Sequence, residues 1–329
     1  MLPTAGDEKA GWRHAGDRPA PSVAEAERLL ARWLRGRPIR RLELMAGGLM
    51  NRNCRIGVDD SSDVVLRLYD RDRAAAARER AVLARLRRDV PVPEVLDADV
   101  DGDDGDPPYL LLRLVDGISL AELKRSGDAA AIASAARDAG RLLARLQTCR
   151  FERVGRLTPA FDVDATGLPD PLTTAALVEH FAASPSFTSR AGTRSAALVR
   201  AAREWDDDPG VPPQPPALVH GDFNARNIFV SDATGDWRVA AILDWEFAFA
   251  GTPYIDVGNF LRYERADRPR FEPWFSGGLT EGGLALDGDW LRAARMADLP
   301  ALCELLARDS TPDDLVAELL GLIDATLGV

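Results

Sequence analysis

The sequence predicts an α+β protein of two lobes: an N-terminal antiparallel sheet with one helix, then a mostly helical C-terminal lobe. Three observations predict it. Short apolar runs punctuated by Gly, Asp and Pro fill residues 39–115, with one helical stretch among them. Beyond them, apolar residues at helical spacing dominate. The two regimes meet at Asp116-Gly117, directly after the apolar run Tyr109 to Val115. Residues 1–21 therefore read as a tail, 22–115 as the first lobe and 116–329 as the second.

In chain order, Ser22-Val23-Ala24-Glu25 is a capping box ahead of a helix through Leu34. Ile39 to Leu44 and Cys54 to Val58 predict two strands about a glycine turn, and Val64 to Tyr69 a third. A helix follows over Arg73 to Arg88, stopped by Pro91 and Pro93. Glu94 to Asp97 is a short extended piece, and Tyr109 to Val115 a buried strand. The second lobe opens with Ser119 to Lys124 and a long Ala-rich helix over Asp128 to Gln147. Further helices are expected at Ala175 to Ala183, Ala191 to Trp205, Tyr254 to Arg262, Asp289 to Arg308 and Leu315 to Leu327. The last is announced by Thr311-Pro312-Asp313-Asp314.

Composition narrows the function. With Lys+Arg 41 against Asp+Glu 52, the net charge of -11 argues against a nucleic-acid surface, which needs basic patches, and against an anionic membrane as partner. The three cysteines, Cys54, Cys149 and Cys303, show no metal-ligand spacing and suit a reducing cytoplasm. Residues 1–20 lack the apolar core of a secretory signal. The expectation is a cytoplasmic protein. Only His14, His180 and His220 occur, and no G-x-S-x-G elbow, so neither a multi-histidine zinc site nor a Ser-His-Asp hydrolase fits.

Chemistry concentrates in His220-Gly221-Asp222-Phe223-Asn224-Ala225-Arg226-Asn227 and in Asp244-Trp245-Glu246. Between them, Ile228 to Val230 and Trp237 to Leu243 flank a turn about Ala233 to Gly235 and predict a hairpin. The hairpin makes Asn227 and Asp244 cross-strand neighbours at its open end, with Asp222 on the loop beside them. An Asn oxygen and carboxylates suit a hard cation such as Mg²⁺, whose octahedron substrate phosphates complete. Asp222 is then left to take a proton from a substrate hydroxyl, which makes a kit for phosphoryl transfer.

These segments resemble the aminoglycoside phosphotransferase family, small-molecule kinases with a bilobal, protein-kinase-like fold. The resemblance runs in order over residues 40 to 260. It implies that Asp222 is the catalytic base, that Asn227 and Asp244 hold Mg²⁺, and that Asp256 braces the catalytic loop. Arg67 stands where protein kinases carry a phosphate-binding Lys, and Glu79 on the next helix is its implied partner. Gly47-Gly48 with Asn51 is similar to the family's turn over the phosphates, with Met50 replacing the usual Ser; any tight hairpin also favours two glycines. Arg113 and Val115 occupy the implied hinge, where a backbone carbonyl and N–H meet the adenine edge.

The implied donor is ATP or GTP, and the implied partner is a small hydroxylated molecule such as an aminoglycoside. Asp206-Asp207-Asp208 could face a polycation or simply be a solvated loop. The segment after Asp244 is short and lacks Ala-Pro-Glu, which argues against a protein substrate. The alternative from another class is a non-catalytic nucleotide-binding regulatory module of kinase ancestry, and Arg67 in place of Lys is its best support.

Overall fold

The computed structural model describes residues 19–45, 51–58, 63–102, 105–164, 166, 172–208, 215–232, 235–264, 269–286 and 288–328. Helix α1 (Val23–Leu29) starts on the predicted capping box, with Glu25 N donating to Ser22 Oγ at 3.2 Å and Ser22 N to Glu25 Oε2 at 2.7 Å. The single helix expected through Leu34 is divided, because Leu30 leaves helical geometry before α2 (Ala31–Leu34). There follow β1 (Arg41–Leu44), β2 (Arg52–Gly57), β3 (Val64–Leu68), α3 (Arg73–Leu86), β4 (Val95–Asp99) and β5 (Tyr109–Arg113).

These strands form one antiparallel sheet in the order β1-β2-β3-β5-β4. Side chains alternate across it. Cys54, Ile56, Leu66, Leu68, Tyr109 and Leu111 pack with Leu30 and Leu34 on one face, while Leu110 and Leu112 join Val82, Leu83 and Leu86 of α3 on the other. Both faces of β5 are covered, which is why its sequence is an unbroken apolar run. The strand stops at Arg113, two residues short of the expected end, and leaves Val115 in the connection to the second lobe.

That lobe comprises β6 (Ile118–Ser119), α4 (Leu120–Ser126), α5 (Ala129–Leu146), β7 (Gly155–Leu157), β8 (Val163–Asp164), α6 (Thr174–Ala182), α7 (Pro185–Ala191) and α8 (Arg194–Asp206). The chain continues through β9 (Ala217–Val219), β10 (Ile228–Ser231), β11 (Arg238–Ile242), a 3-10 turn (Trp245–Phe247), β12 (Phe249–Gly251), α9 (Tyr254–Leu261), α10 (Glu272–Glu281), α11 (Trp290–Ala307) and α12 (Asp313–Leu327). Two small antiparallel sheets, β11-β10-β6 and β8-β7-β12-β9, carry the loops of the site. The fold is thus α+β and bilobal, with a sheet-rich first lobe and a mostly helical second one. Among the described residues no helix is long and apolar enough to cross a membrane.

Several elements differ from expectation. The helix expected over Ala191 to Trp205 begins at Arg194, because Gly192 turns the chain at φ 56°, and α7 precedes it. Helix α10 carries no predicted counterpart. Its Gly278 lies where a Cβ would come 2.0 Å from Arg137 O, and a Cβ on Gly140 of α5 would come 2.2 Å from Phe275 O. These glycines let two helices meet backbone to backbone, so they mark close packing rather than a turn. Asp206 is exposed but engaged within the fold: its carboxylate accepts from Ala175 N at 2.7 Å and Thr174 N at 3.3 Å, capping α6.

Candidate active site

The hairpin of β10 and β11 forms, with a register set by a bulge. Val230 pairs with Val239 but Phe229 pairs with Ala241, so Ala240 is the extra residue. Ile228 consequently faces Ile242, and Leu243 N donates to Asn227 O at 2.8 Å. Leu243, rather than Asp244, is therefore the residue opposite Asn227. Asp244 lies one residue beyond the ladder in left-handed backbone, φ 62° and ψ 61°, a conformation that Asp tolerates better than most residues.

The loop before β10 is tied down from below. His220 N donates to Asp256 Oδ2 at 2.7 Å and Gly221 N to Asp256 Oδ1 at 3.0 Å. Asp256, on α9, is fully buried, and that burial pushes its carboxyl up to about 7 against the pull of the two N–H groups. At Gly221, φ is 83° and a Cβ would come 2.6 Å from Phe247 O, so the position requires glycine.

His220 is buried between Trp245, with ring centroids 4.4 Å apart, and Phe223 at 5.9 Å. Its Nδ1 accepts from Asp222 N at 3.1 Å, which leaves Nε2–H to donate to Leu243 O at 2.8 Å. That pattern requires a neutral ring, and burial lowers its pKa accordingly. His220 thus links the Asp222 loop to the end of β11.

Asp222 is half-buried and held by two amides. Asn224 Nδ2 donates to Oδ1 at 2.8 Å and Asn227 Nδ2 to Oδ2 at 2.9 Å. A carboxylate can only accept, so it turns the Asn227 N–H₂ towards itself and the Asn227 Oδ1 away, where it is a hard oxygen donor.

The first lobe contributes Arg67 from β3, which is 4% exposed and meets three carboxylates. Its Nη1 donates to Asp244 Oδ1, and its Nη2 to Glu246 Oε1 at 3.1 Å. Its Nε lies 3.3 Å from Glu79 Oε2 as an ion pair without hydrogen-bond alignment. Tyr69 Oη donates to the same Glu79 oxygen at 2.7 Å. Burial opposes the Arg67 charge, but Glu79, Asp244 and Glu246 together hold its pKa well above the ordinary value. One guanidinium does not offset three acids. Burial, with Glu79 and Asp244 adding to it, pushes the Glu246 carboxyl up to about 7, and burial likewise raises Glu79.

Glu246 is a site residue that the motif comparison left without a role. Asn51 Nδ2 donates to its Oε2 at 2.8 Å, tying the residue that precedes β2 to the second lobe. The sequence signal was available: a carboxylate within the apolar Trp245 to Ala248. Gly47 and Gly48 lie outside the described residues. Arg113 ends β5, its N–H donating to Glu94 O at 2.9 Å, and Gly117 next in the crossing packs where a Cβ would come 2.4 Å from Val230 O.

The structure therefore brings Asp222, Asn227, Asp244, Glu246, Arg67 and Glu79 to the junction of the lobes. Among the described residues no three His, Cys, Asp or Glu form a self-sufficient metal centre. The Asn227 amide oxygen and the partly exposed Asp244 carboxylate are oxygens of the type that would suit Mg²⁺ completed by phosphate oxygens.

Residues 41–294 match the model of the phosphotransferase enzyme family. Solved structures with the same fold include a thermostable mutant of aminoglycoside phosphotransferase APH(4)-Ia in a ternary complex with AMP-PNP and hygromycin B. It is 20% identical, covers 92% of this chain and 98% of its own, and gives a TM-score of 0.66. The GDP complex of wild-type aminoglycoside 2'-phosphotransferase-IIIa is 15% identical, with coverage of 94% and 99% and a TM-score of 0.70. The apoenzyme of macrolide 2'-phosphotransferase MphH from Brachybacterium faecium is 20% identical, with 92% and 98% coverage and a TM-score of 0.60. No curated protein sequence matched the chain.

Proposed function

Because the chain belongs to the phosphotransferase enzyme family, we propose that it transfers the γ-phosphoryl group of ATP or GTP to a hydroxyl of an antibiotic, such as an aminoglycoside, or of a related small metabolite. The observation that carries this reading is the Asp222 carboxylate held by Asn227, next to a strand end where Asp244 meets Arg67. The acceptor oxygen attacks the γ-phosphorus, the bond to the β,γ-bridging oxygen breaks, and the hydroxyl proton passes to Asp222. Asn224 and Asn227 fix both carboxylate oxygens, so the base enters the reaction already oriented.

Asn227 and Asp244 would hold Mg²⁺, which when bound neutralises charge on the phosphates. Arg67 offers a permanent fork of donors to the same phosphates, with Glu79 and Glu246 fixing its plane. Arg113 and Val115 supply backbone groups for the base of the nucleotide. Bound AMP-PNP, bound GDP and hygromycin B in the neighbouring structures support a nucleoside triphosphate donor and a small polyhydroxylated acceptor. Three free, buried cysteines and a nucleotide donor suit a cytoplasmic enzyme.

The test is release of ADP or GDP with Mg²⁺ across aminoglycosides, macrolides, nucleoside antibiotics, amino alcohols and sugars, with Asp222→Asn as the blank. Acceptor-dependent release that vanishes in the blank supports the kinase. Tight nucleotide binding with no acceptor turnover points to the regulatory module.

A further inference from the structure

Helix α9 holds the chain on both sides of Asp222. Upstream, Asp256 takes the N–H groups of His220 and Gly221. Downstream, three residues later on the same helix, Asn259 reaches the carbonyl of Phe223. One orientation of the Asn259 amide satisfies both of its neighbours: its N–H₂ donates to Phe223 O at 3.2 Å and its oxygen accepts from Arg262 Nη2 at 3.2 Å. Arg262, at the end of α9, forms a bidentate pair with Asp298 of α11, Nε to Oδ2 at 2.8 Å and Nη2 to Oδ1 at 2.6 Å.

The two hydrogens of Nη2 are thereby shared between Asp298 and Asn259. Gly258 makes the geometry possible, since a Cβ there would come 2.2 Å from Ala294 O and 2.7 Å from Asp298 Cβ, so α9 and α11 approach without an intervening side chain.

A buried ion pair is a poor stabiliser, because desolvation offsets most of its attraction and apolar residues of similar volume commonly serve as well. What an apolar pair cannot do is orient an amide. The Phe223 carbonyl accepts only from the N–H₂ end of the Asn259 amide, and the guanidinium donates only to its oxygen, so the charge on the far side holds the amide turned to the carbonyl.

We propose that Arg262 and Asp298 are positioning residues for phosphoryl transfer: their ion pair orients Asn259, which anchors the Phe223 carbonyl and so fixes Asp222 between two attachments to one helix. The inference rests on reading Asp222 as the base. The relay reaches the site through the Phe223 carbonyl, so its loss acts on turnover rather than on nucleotide affinity.

The experiment compares the full-length parent with Arg262→Met/Asp298→Leu, which keeps volume and removes both charges, and with Asn259→Ala, which keeps the ion pair and removes its link. Thermal unfolding, kcat, nucleotide KM and amide hydrogen exchange of residues 218–227 are read on all three. The double variant is expected to retain the parent's Tm and nucleotide KM while kcat falls about 10-fold to 10²-fold, the scale of a misplaced catalytic group. Exchange in residues 218–227 quickens alongside. Asn259→Ala shows the same kcat and exchange changes, and decides the matter if the double variant fails to fold.

Parent-like kcat and parent-like exchange in a folded variant would overturn the proposal and leave the pair a structural element. A parent that phosphorylates no acceptor would remove the reading of Asp222 as base, while the exchange data still decide whether the relay holds the loop.

Discussion

Arg67 and Asp244 are bonded to each other across the lobes, the guanidinium from β3 donating to the carboxylate at the end of β11. The group proposed to hold phosphates and the group proposed to hold the metal thus fix one another. Glu246 and Glu79 complete the surround, so Arg67 is a buried cation shared by three acids. Replacing it removes the positive charge that carboxylates of both lobes share. Arg67→Met is expected to destabilise the protein by about 3–5 kcal/mol, the usual cost of removing one partner from a buried ion pair, measured by urea unfolding. A loss under about 1 kcal/mol would show that the acids are neutral or hydrated rather than paired.

Asp222→Asn is expected to lower kcat at least about 10²-fold while Mg-nucleotide binding stays near the parent's. The amide keeps one acceptor but sets an N–H₂ against either Asn224 or Asn227, so a loss of roughly 1 kcal/mol in stability accompanies it. Isothermal calorimetry with Mg-nucleotide and steady-state kinetics separate the two effects. Turnover equal to the parent's would remove Asp222 from the base role.

Asp244→Ala acts on the other half of the site. Nucleotide affinity in the presence of Mg²⁺ should fall by about 10-fold or more, the scale seen even for groups that only support a metal ligand. Affinity without Mg²⁺ should change far less. Titrating nucleotide with and without the cation checks this, and an equal loss in both conditions would assign Asp244 to the protein framework alone.

Asp256 provides a pH test. Its carboxyl lies at about 7 in the folded chain against an ordinary 3.8, with burial as the main cause. Between those values the unfolded chain releases the proton while the folded chain keeps it, so stability falls as pH rises from about 4 to about 7, then levels. The parent's stability advantage over Asp256→Asn should therefore be larger at pH 5 than at pH 8, changing by a few kcal/mol at about 1.4 kcal/mol per pKa unit. Urea unfolding of both proteins at the two pH values measures it. A difference independent of pH would mean that the two N–H bonds hold the carboxylate ionised throughout.

Much of this was legible in the chain because local chemistry and tertiary role coincide. Ser22 and Glu25 form their capping box wherever the helix goes, and Asp222, Asn227 and Asp244 stand at fixed spacing about a hairpin. Other features were hidden because their meaning is made by a distant partner. Gly277-Gly278 reads locally as a helix breaker, yet it lies inside α10 because α5 comes within backbone contact. Asp206 reads as part of a solvated acidic run, yet it caps a helix thirty-odd positions away in the chain. The register of Asp244 against Asn227 depends on one inserted residue, Ala240, which brings Asp244 from two positions past the partner of Asn227 to one and which no local pattern announces. Glu246 takes its place in the site from Asn51 and Arg67, which converge on it from the other lobe.

The clasp of Asn51, Arg67 and Glu79 from one lobe with Glu246 from the other is almost wholly out of water, with only Asp244 at its rim partly exposed. Mobile ions screen interactions between exposed charges farther apart than about 8–10 Å at physiological strength, but reach buried pairs poorly. Ionic strength therefore becomes a probe that sorts steps: a fall in rate with added salt belongs to the capture of charged nucleotide or acceptor by this acidic protein, and the joint between its halves stays indifferent.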